Sequence, residues 1–216
     1  MRLVLVLEPE VWAQPGVGRP ALVWRFPVEV RAVSTAVVGG GLGGCRWVLN
    51  VEVHDEYHRD PVEHLNSLAG ERRLEGPGVG LLTAARVLRY TTGADDGVEC
   101  VTTVGLTHPV NAARPVPLSE EPTRFTAGTI NTVCWVPAPL DDSALVNAVV
   151  TATEAKAQAL RDTGFDATGT PSDAVVVCAE PGGGERYGGP RSRWGARLAN
   201  AVYEATARGA AAWTAG

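Results

Sequence analysis

The stretch GTINTVCWVPAPLDDSALVNAVVTATEAKAQAL, residues 128–160, contains the transition that decides the fold. Its first ten residues form an apolar run with β-branched and aromatic side chains, which predicts a buried strand. Pro139 and the Asp-Asp-Ser sequence at 141–143 supply turn and capping residues, and they predict a helix from about 143 to 161. A long helix therefore follows a buried strand almost directly.

In the rest of the chain, most predicted strands lie in the first two thirds, and the two longest predicted helices lie in the last third. The predicted strands are residues 2–6, 20–26, 28–33, 45–53, 98–106, 128–137 and the end of 169–180. The predicted helices are residues 61–68, 143–161 and 191–210, and the proline-rich residues 109–127 predict a long loop. This order predicts an α+β fold, a single domain over residues 1–216 in which a mixed β-sheet system packs against two longer helices from the C-terminal half.

Composition excludes several classes of protein. The chain has 216 residues, a formal net charge of −5, 45% hydrophobic residues and 20% charged residues, which is ordinary globular usage. No apolar run approaches the ~18 residues of a membrane helix, and the acidic balance argues against nucleic acid. The first residues meet acidic side chains too early for a signal peptide, so we expect a cytoplasmic protein. The four separated cysteines predict free core thiols. Whether the chain forms a homo-oligomer is left open by the sequence.

Two similar segments, GTIN at 128–131 and GTPSD at 169–173, each place polar side chains at the opening of a buried strand. Such groups can hold an amide carbonyl or activate a nucleophile, and they can equally tie down a turn. Because both segments enter strongly apolar strands, we predict one shared site. Its predicted catalytic residues from these segments are Thr129, Asn131, Ser172 and Asp173.

Within that site, Thr129 and Asn131 are expected to hold the carbonyl oxygen of an amide as negative charge builds on it. Replacing Asn131 is then expected to lower turnover while leaving stability nearly unchanged.

Lys156 is the only lysine of the chain and is the fifth predicted catalytic residue. At about 100° per residue, it falls opposite a polar stripe of the helix. The stripe holds Asn147, Thr151, Glu154 and Gln158, and the apolar arc holds Leu145, Val149, Val150, Ala152, Thr153 and Leu160. A buried ammonium needs a carboxylate partner, for which we choose Asp173, and the pair is expected to orient Ser172 or a water. Alternatively, Lys156 reaches solvent at the edge of the arc, and the stripe is simply solvated.

The glycine-rich GGGLGG sequence at 39–44 does not predict a nucleotide site, because strand-like residues follow it and no Gly-Lys-Ser or Gly-Lys-Thr is present. It predicts a tight turn, or a close approach of the backbone to a ligand. His54, His58 and His64 fall within eleven residues, and a zinc site built from them is a weaker alternative to exposed loop histidines.

Taken together, these segments resemble the adenosylcobinamide amidohydrolase family, the CbiZ type. The resembling segments are STAVVGGGLGG (34–44), NVEVHDEY (50–57), GVGLLTAARV (78–87), VECVTTVGLTHPV (98–110), residues 128–160, GTPSDAVVV (169–177) and GGPRSRWGARLANAV (188–202). The resemblance implies an enzyme of cobamide salvage. The family cuts the amide that joins the aminopropanol arm to the corrin ring of adenosylcobinamide and gives adenosylcobyric acid.

The resemblance also implies that the corrinoid is the substrate rather than a cofactor and brings its own cobalt. Because the sequence has no strong metal-ligand spacing, we expect the chain to have no metal site of its own. We expect the substrate-binding residues to be Gly39, Gly40, Asn50, Tyr57, Thr83 and Glu154. Two alternatives stay open: a corrinoid-binding protein without turnover, and a metal-dependent hydrolase that uses His54, His58 and His64.

Overall fold

The computed structural model describes residues 6–14, 18–113 and 128–215. Its strands are β1 (Glu10–Ala13), β2 (Pro20–Ser34), β3 (Gly41–Glu52), β4 (Gly78–Thr83), β5 (Thr91–Asp95), β6 (Val98–Val104), β7 (Ile130–Val136) and β8 (Ala174–Ala179). Its helices are α1 (Pro61–Glu71), α2 (Asp142–Asp162) and α3 (Arg193–Ala215), with a short 3₁₀ turn at Val87–Arg89. Residues 2–5 of the predicted strand at 2–6 and most of the predicted loop at 109–127 lie outside the described residues.

The strands form one mixed sheet in the order β4-β3-β2-β8-β7-β6-β5, with β1 paired to β2. The β3–β4 and β7–β8 pairs are parallel, and the other pairs are antiparallel. With three helices packed on this sheet, the predicted α+β class is confirmed.

A bulge in β2 bends the sheet. The pairing of β2 with β3 shifts register between Arg25 and Val30, around Pro27, which has no backbone N–H to give to a ladder. The two strands predicted at 20–26 and 28–33 are therefore one long strand with an interruption.

The sheet folds over on itself beyond this bulge. Asn50 of β3 is hydrogen-bonded to Asn131 of β7, although β2 and β8 separate those strands in the sheet order. The fold encloses an inner core, in which the rings of Phe26 and Trp135 stack with centroids 6.3 Å apart. Helices α2 and α3 cover the outer side of β6, β7 and β8, and α1 covers the outer side of β2 and β3.

The buried face of α2 is built from small residues, which explains why part of the predicted helix orientation is wrong. Its buried alanines are Ala144, Ala148, Ala152, Ala155 and Ala159. Thr151, expected on the polar stripe, is buried and donates a hydrogen bond to Gly188 O at 2.8 Å. Val150 and Thr153, expected on the buried arc, are exposed. Lys156 is buried as expected, with 6% of its surface exposed.

The predicted glycine turn is confirmed, because Gly39 and Gly41 have φ values of +71° and +90° and β3 starts at Gly41. The four cysteines are free and buried, as the sequence predicts. In the described part of the chain, no helix combines the length and apolar character needed to cross a membrane.

Candidate active site

The GTIN and GTPSD segments lie side by side, because they lead into β7 and β8, which are parallel neighbours with Asn131 opposite Ala174. The hydroxyl oxygens of Thr129 and Ser172 are 2.8 Å apart. Ser172 Oγ also donates to Gly128 O at 3.2 Å, so the Thr129 hydroxyl is the donor within the pair. The structure thus brings together the two predicted segments at one end of the sheet.

A buried ion pair fastens these segments to α2. Lys156 Nζ contacts Asp173 Oδ2, and the two side chains are only 7% and 10% exposed. The Asp173 carboxylate also accepts from the backbone N–H of Ile130 at 2.9 Å and of Thr170 at 3.0 Å. A methyl group on Gly169 would overlap Asp173 and lie 2.6 Å from Lys156 Nζ, so only glycine leaves room for the pair here.

The ion pair and the hydroxyl pair are neighbours in one hydrogen-bond network, because Thr170 Oγ1 contacts both Asp173 Oδ1 and Gly128 O, and Gly128 O accepts from Ser172. Asp173 reaches α2 through Lys156, whereas Ser172 lies in the turn before β8. Ser172 Oγ bonds Thr129 and Gly128, and among the described contacts it has none with Lys156 or Asp173. The predicted pairing of Lys156 with Asp173 is present, whereas the expected contact of that pair with Ser172 is not.

Asn131 is a buried link between strands. Its Nδ2 donates to Leu82 O and to Asn50 Oδ1, both at 2.9 Å. Asn50 Nδ2 in turn donates to Thr103 Oγ1 at 3.1 Å. Both N–H groups of Asn131 are therefore occupied, and the residue is 2% exposed. Holding a substrate carbonyl, as the sequence suggests for this residue, would require one of these bonds to break.

Thr83 lies at the same end of the sheet, and its side chain forms a hydrogen bond within the turn that follows it. It is buried, and its Oγ1 accepts from the backbone N–H of Ala85 at 3.0 Å. A methyl group on Gly105 would lie 3.0 Å from Ala85 Cβ and 3.5 Å from Thr129 N, so this turn borders the GTIN segment.

Other residues predicted to bind substrate lie elsewhere. Methyl groups on Gly39 and Gly40 would overlap Gly78 O and Ala36 O, so these glycines approach the protein's own backbone. Glu154 is exposed on the outer side of α2. A surface groove of about 300 Å³ between α2 and α3 includes Glu154, on the far side of α2 from the sheet.

Tyr57 and the neighbouring histidines form a separate surface cluster. The Tyr57 and His64 rings stack at 5.6 Å, and Tyr57 Oη is 3.0 Å from His64 Nδ1. Burial, followed by the nearby Arg59 charge, lowers the pKa of His64, and burial raises the pKa of Tyr57. Within residues 6–14, 18–113 and 128–215, no three His, Cys, Asp or Glu side chains are arranged to hold a metal ion.

Two residues near the shared end do not appear among the predicted site residues. Glu52, two positions after Asn50 on β3, is buried and accepts from Val87 N at 2.9 Å. His108 is exposed, and its backbone lies against Gly128. The position of His108, at the end of a predicted strand and before a proline, was the available signal for it in the sequence.

Comparison with known proteins gives the family. Residues 7–216 match the family model described as CbiZ, adenosylcobinamide amidohydrolase. The chain belongs to this family. The adenosylcobinamide amidohydrolase of Methanosarcina mazei is 30% identical over 185 residues, which cover 81% of this chain and 86% of the relative. The Halobacterium salinarum protein of the same name is 41% identical over 114 residues, or 50% of this chain and 48% of the relative.

A solved structure, the PH0078 protein of Pyrococcus horikoshii, aligns over 97% of this chain and 82% of its own, with 13% identity and a TM-score of 0.46. That similarity is too low to bear on fold or function.

Proposed function

We propose that this chain hydrolyses the amide between the aminopropanol arm and the corrin ring of adenosylcobinamide, and releases adenosylcobyric acid for cobamide salvage. Membership of the family supports the reaction. The observation that carries the site is the meeting of GTIN and GTPSD, with the hydroxyls of Thr129 and Ser172 2.8 Å apart. The corrinoid brings its cobalt as part of the substrate, and the chain needs no cofactor of its own.

Ser172 is the residue best placed to contact the scissile amide. It is exposed, whereas Thr129 behind it is buried. Gly128 O accepts from Ser172 Oγ at 3.2 Å, and Thr170 Oγ1, 2.8 Å from the same carbonyl, shares its one proton with Asp173 Oδ1. To donate to a substrate carbonyl oxygen, the Ser172 hydroxyl turns away from Gly128 O, while Thr129 continues to donate to Ser172.

Lys156 and Asp173 act in this proposal as positioning residues. Their ion pair joins α2 to the backbone N–H groups of Ile130 and Thr170, and so fixes the two polar segments relative to each other. Both side chains are nearly buried, at 7% and 10% exposure, and need not touch the substrate. Asn131 has a similar positioning role through Asn50 and Leu82.

The proposed reaction belongs in the cytoplasm. Four free, buried thiols suit a reducing compartment, although they do not require one.

The test is to incubate the purified chain with adenosylcobinamide and to follow adenosylcobyric acid and free aminopropanol by mass spectrometry. Ser172→Ala is expected to lower kcat by ~10²–10³-fold, as loss of an oxyanion donor does. Thr132→Val is the matched control, because it removes a buried hydroxyl from the neighbouring strand β7, where Thr132 Oγ1 is 3.4 Å from Thr102 Oγ1. Tight binding of the corrinoid without any product would contradict hydrolysis and favour a binding protein.

A further inference from the structure

The segment that follows β6 is fastened across both polar segments. Gly105 N donates to Thr129 O at 3.0 Å, in the GTIN segment. Val110 N donates to Gly169 O at 2.8 Å, at the start of GTPSD. Residues 105–110 therefore run alongside the proposed site and are held at both of their ends.

His108 lies in the middle of this segment, directly beside Gly128. A methyl group built on Gly128 would lie 3.2 Å from His108 N and 3.7 Å from His108 Cβ. The carbonyl of Gly128 accepts from Ser172, so His108 and the hydroxyl pair border the same backbone unit. His108 and Ser172 are both exposed, so solvent and substrate have access to both side chains.

Amide hydrolysis makes a chemical demand that the residues already assigned do not meet. The amine leaves only if its nitrogen gains a proton, and hydroxyls and carboxamides do not supply one near neutral pH. Lys156 and Asp173 are nearly buried and already paired with each other. Glu52 is buried and paired with Arg19, with 3.2 Å between their charged atoms. Imidazole is the side chain that gains and loses a proton near neutrality.

We propose that His108 is the general acid-base residue of this reaction, an assignment that rests on the proposed function. A water oxygen bonds to the carbonyl carbon of the amide and gives one proton to the His108 imidazole. The C–N bond then breaks, and its electron pair stays on nitrogen, which takes that proton from the imidazolium. The products are adenosylcobyric acid and aminopropanol, and the histidine returns to its starting form.

The first test compares His108→Ala and His108→Gln with the wild-type chain. Both variants are expected to lower kcat for adenosylcobinamide by ~10²–10⁴-fold. Because His108 is exposed, both are expected to unfold at the wild-type urea concentration. His58→Ala is the matched control, since it removes an exposed histidine from the separate surface cluster and is expected to leave kcat unchanged. Wild-type kcat in the His108 variants would overturn the assignment.

A second substrate separates proton donation from a structural role. The para-nitrophenyl ester of the same corrinoid acid has a leaving group that departs without a proton. If His108 protonates the leaving amine, the variants lose much more activity on the amide than on the ester. Some loss on the ester is expected, because His108 also takes a proton from the attacking water. Equal losses on both substrates would overturn the proton-donor role and with it the assignment of both proton transfers to His108.

Failure of this inference is distinguishable from failure of the proposed function. A wild-type chain that hydrolyses the amide, with equally active His108 variants, overturns only the role of His108. A wild-type chain that hydrolyses neither substrate overturns both.

Discussion

Asn131 connects three strands through one side chain, and its partners determine what its removal costs. Replacing Asn131 by alanine would leave Leu82 O and Asn50 Oδ1 without their donor in a buried region. We expect a loss of ~1–3 kcal/mol in the free energy of unfolding, measured by urea denaturation. The sequence alone led to the expectation that stability would hardly change, and the burial of Asn131 is the reason for revising it.

The control for this prediction is Asn66→Ala, which removes an exposed asparagine from α1 and is expected to change stability little. An Asn131→Ala chain as stable as the control would show that the buried amide link contributes nothing.

Substitution of Gly169 tests how much the geometry of the Lys156–Asp173 ion pair contributes to stability, without changing either charged residue. An alanine methyl would overlap Asp173 and lie 2.6 Å from Lys156 Nζ, which forces the pair to shift. We expect Gly169→Ala to lower the free energy of unfolding by ~1–3 kcal/mol, as overpacking does. Gly43→Ala, where a methyl meets only open space, is the control. Equal stability of the two variants would mean that the ion pair does not need its present geometry.

At the scale of elements, α3 rests directly on β5. A methyl group on Gly93 would overlap Ala201 O and lie 2.8 Å from Ala205 N, and Thr91 Oγ1 donates to Ala205 O at 2.7 Å. The backbone of the helix therefore lies against the backbone of the strand, with no side chain between them at this point.

Gly93→Ala is expected to separate this helix from the sheet and to cost ~1–3 kcal/mol of unfolding free energy. Gly70→Ala in α1, which has open space around it, is expected to stabilise the chain by ~0.5–1 kcal/mol. Thermal unfolding of the two variants checks both signs. A Gly93→Ala chain that melts at or above the wild-type temperature would contradict the close packing of α3 on β5.

Local patterns predicted most elements and only part of the site. The β7 strand and α2 helix follow from the apolar run and the capping residues, and the pairing of Lys156 with Asp173 follows from a lone lysine on a buried face. The contact of Asn50 with Asn131 depends on the folding of the sheet beyond the bulge, which no local pattern encodes. The prediction of which side of α2 is buried was partly wrong, because alanines make up most of its buried face.

At the scale of the whole molecule, the thiols report on global unfolding. A hydrogen bond with Cys100, followed by burial, raises the pKa of Cys134 well above its usual range, and a hydrogen bond with Cys45 does the same for Cys178. The thiolate is the reactive form, so the native chain is expected to resist thiol-specific reagents.

The same shifts predict the pH dependence of stability. Because the pKa of these thiols is higher in the folded chain than in the unfolded chain, the unfolded thiols lose their protons first. Their contribution to the free energy of unfolding is therefore complete below about pH 8.5 and decreases as the pH rises above it.

Thiol modification followed in increasing urea is expected to track the loss of circular dichroism. Fast labelling of any of the four cysteines in the native chain would contradict their burial.

Hydrolysis of adenosylcobinamide in heavy-oxygen water is a direct test of the proposed reaction. If the chain hydrolyses the amide, the adenosylcobyric acid contains one heavy oxygen atom in its new carboxyl group, and aminopropanol appears in equal amount. The Ser172→Ala chain, assayed in parallel, should form this product ~10²–10³-fold more slowly, and Thr132→Val at the wild-type rate. Unchanged adenosylcobinamide after incubation with the folded wild-type chain, or product formed equally fast by Ser172→Ala, would contradict the account.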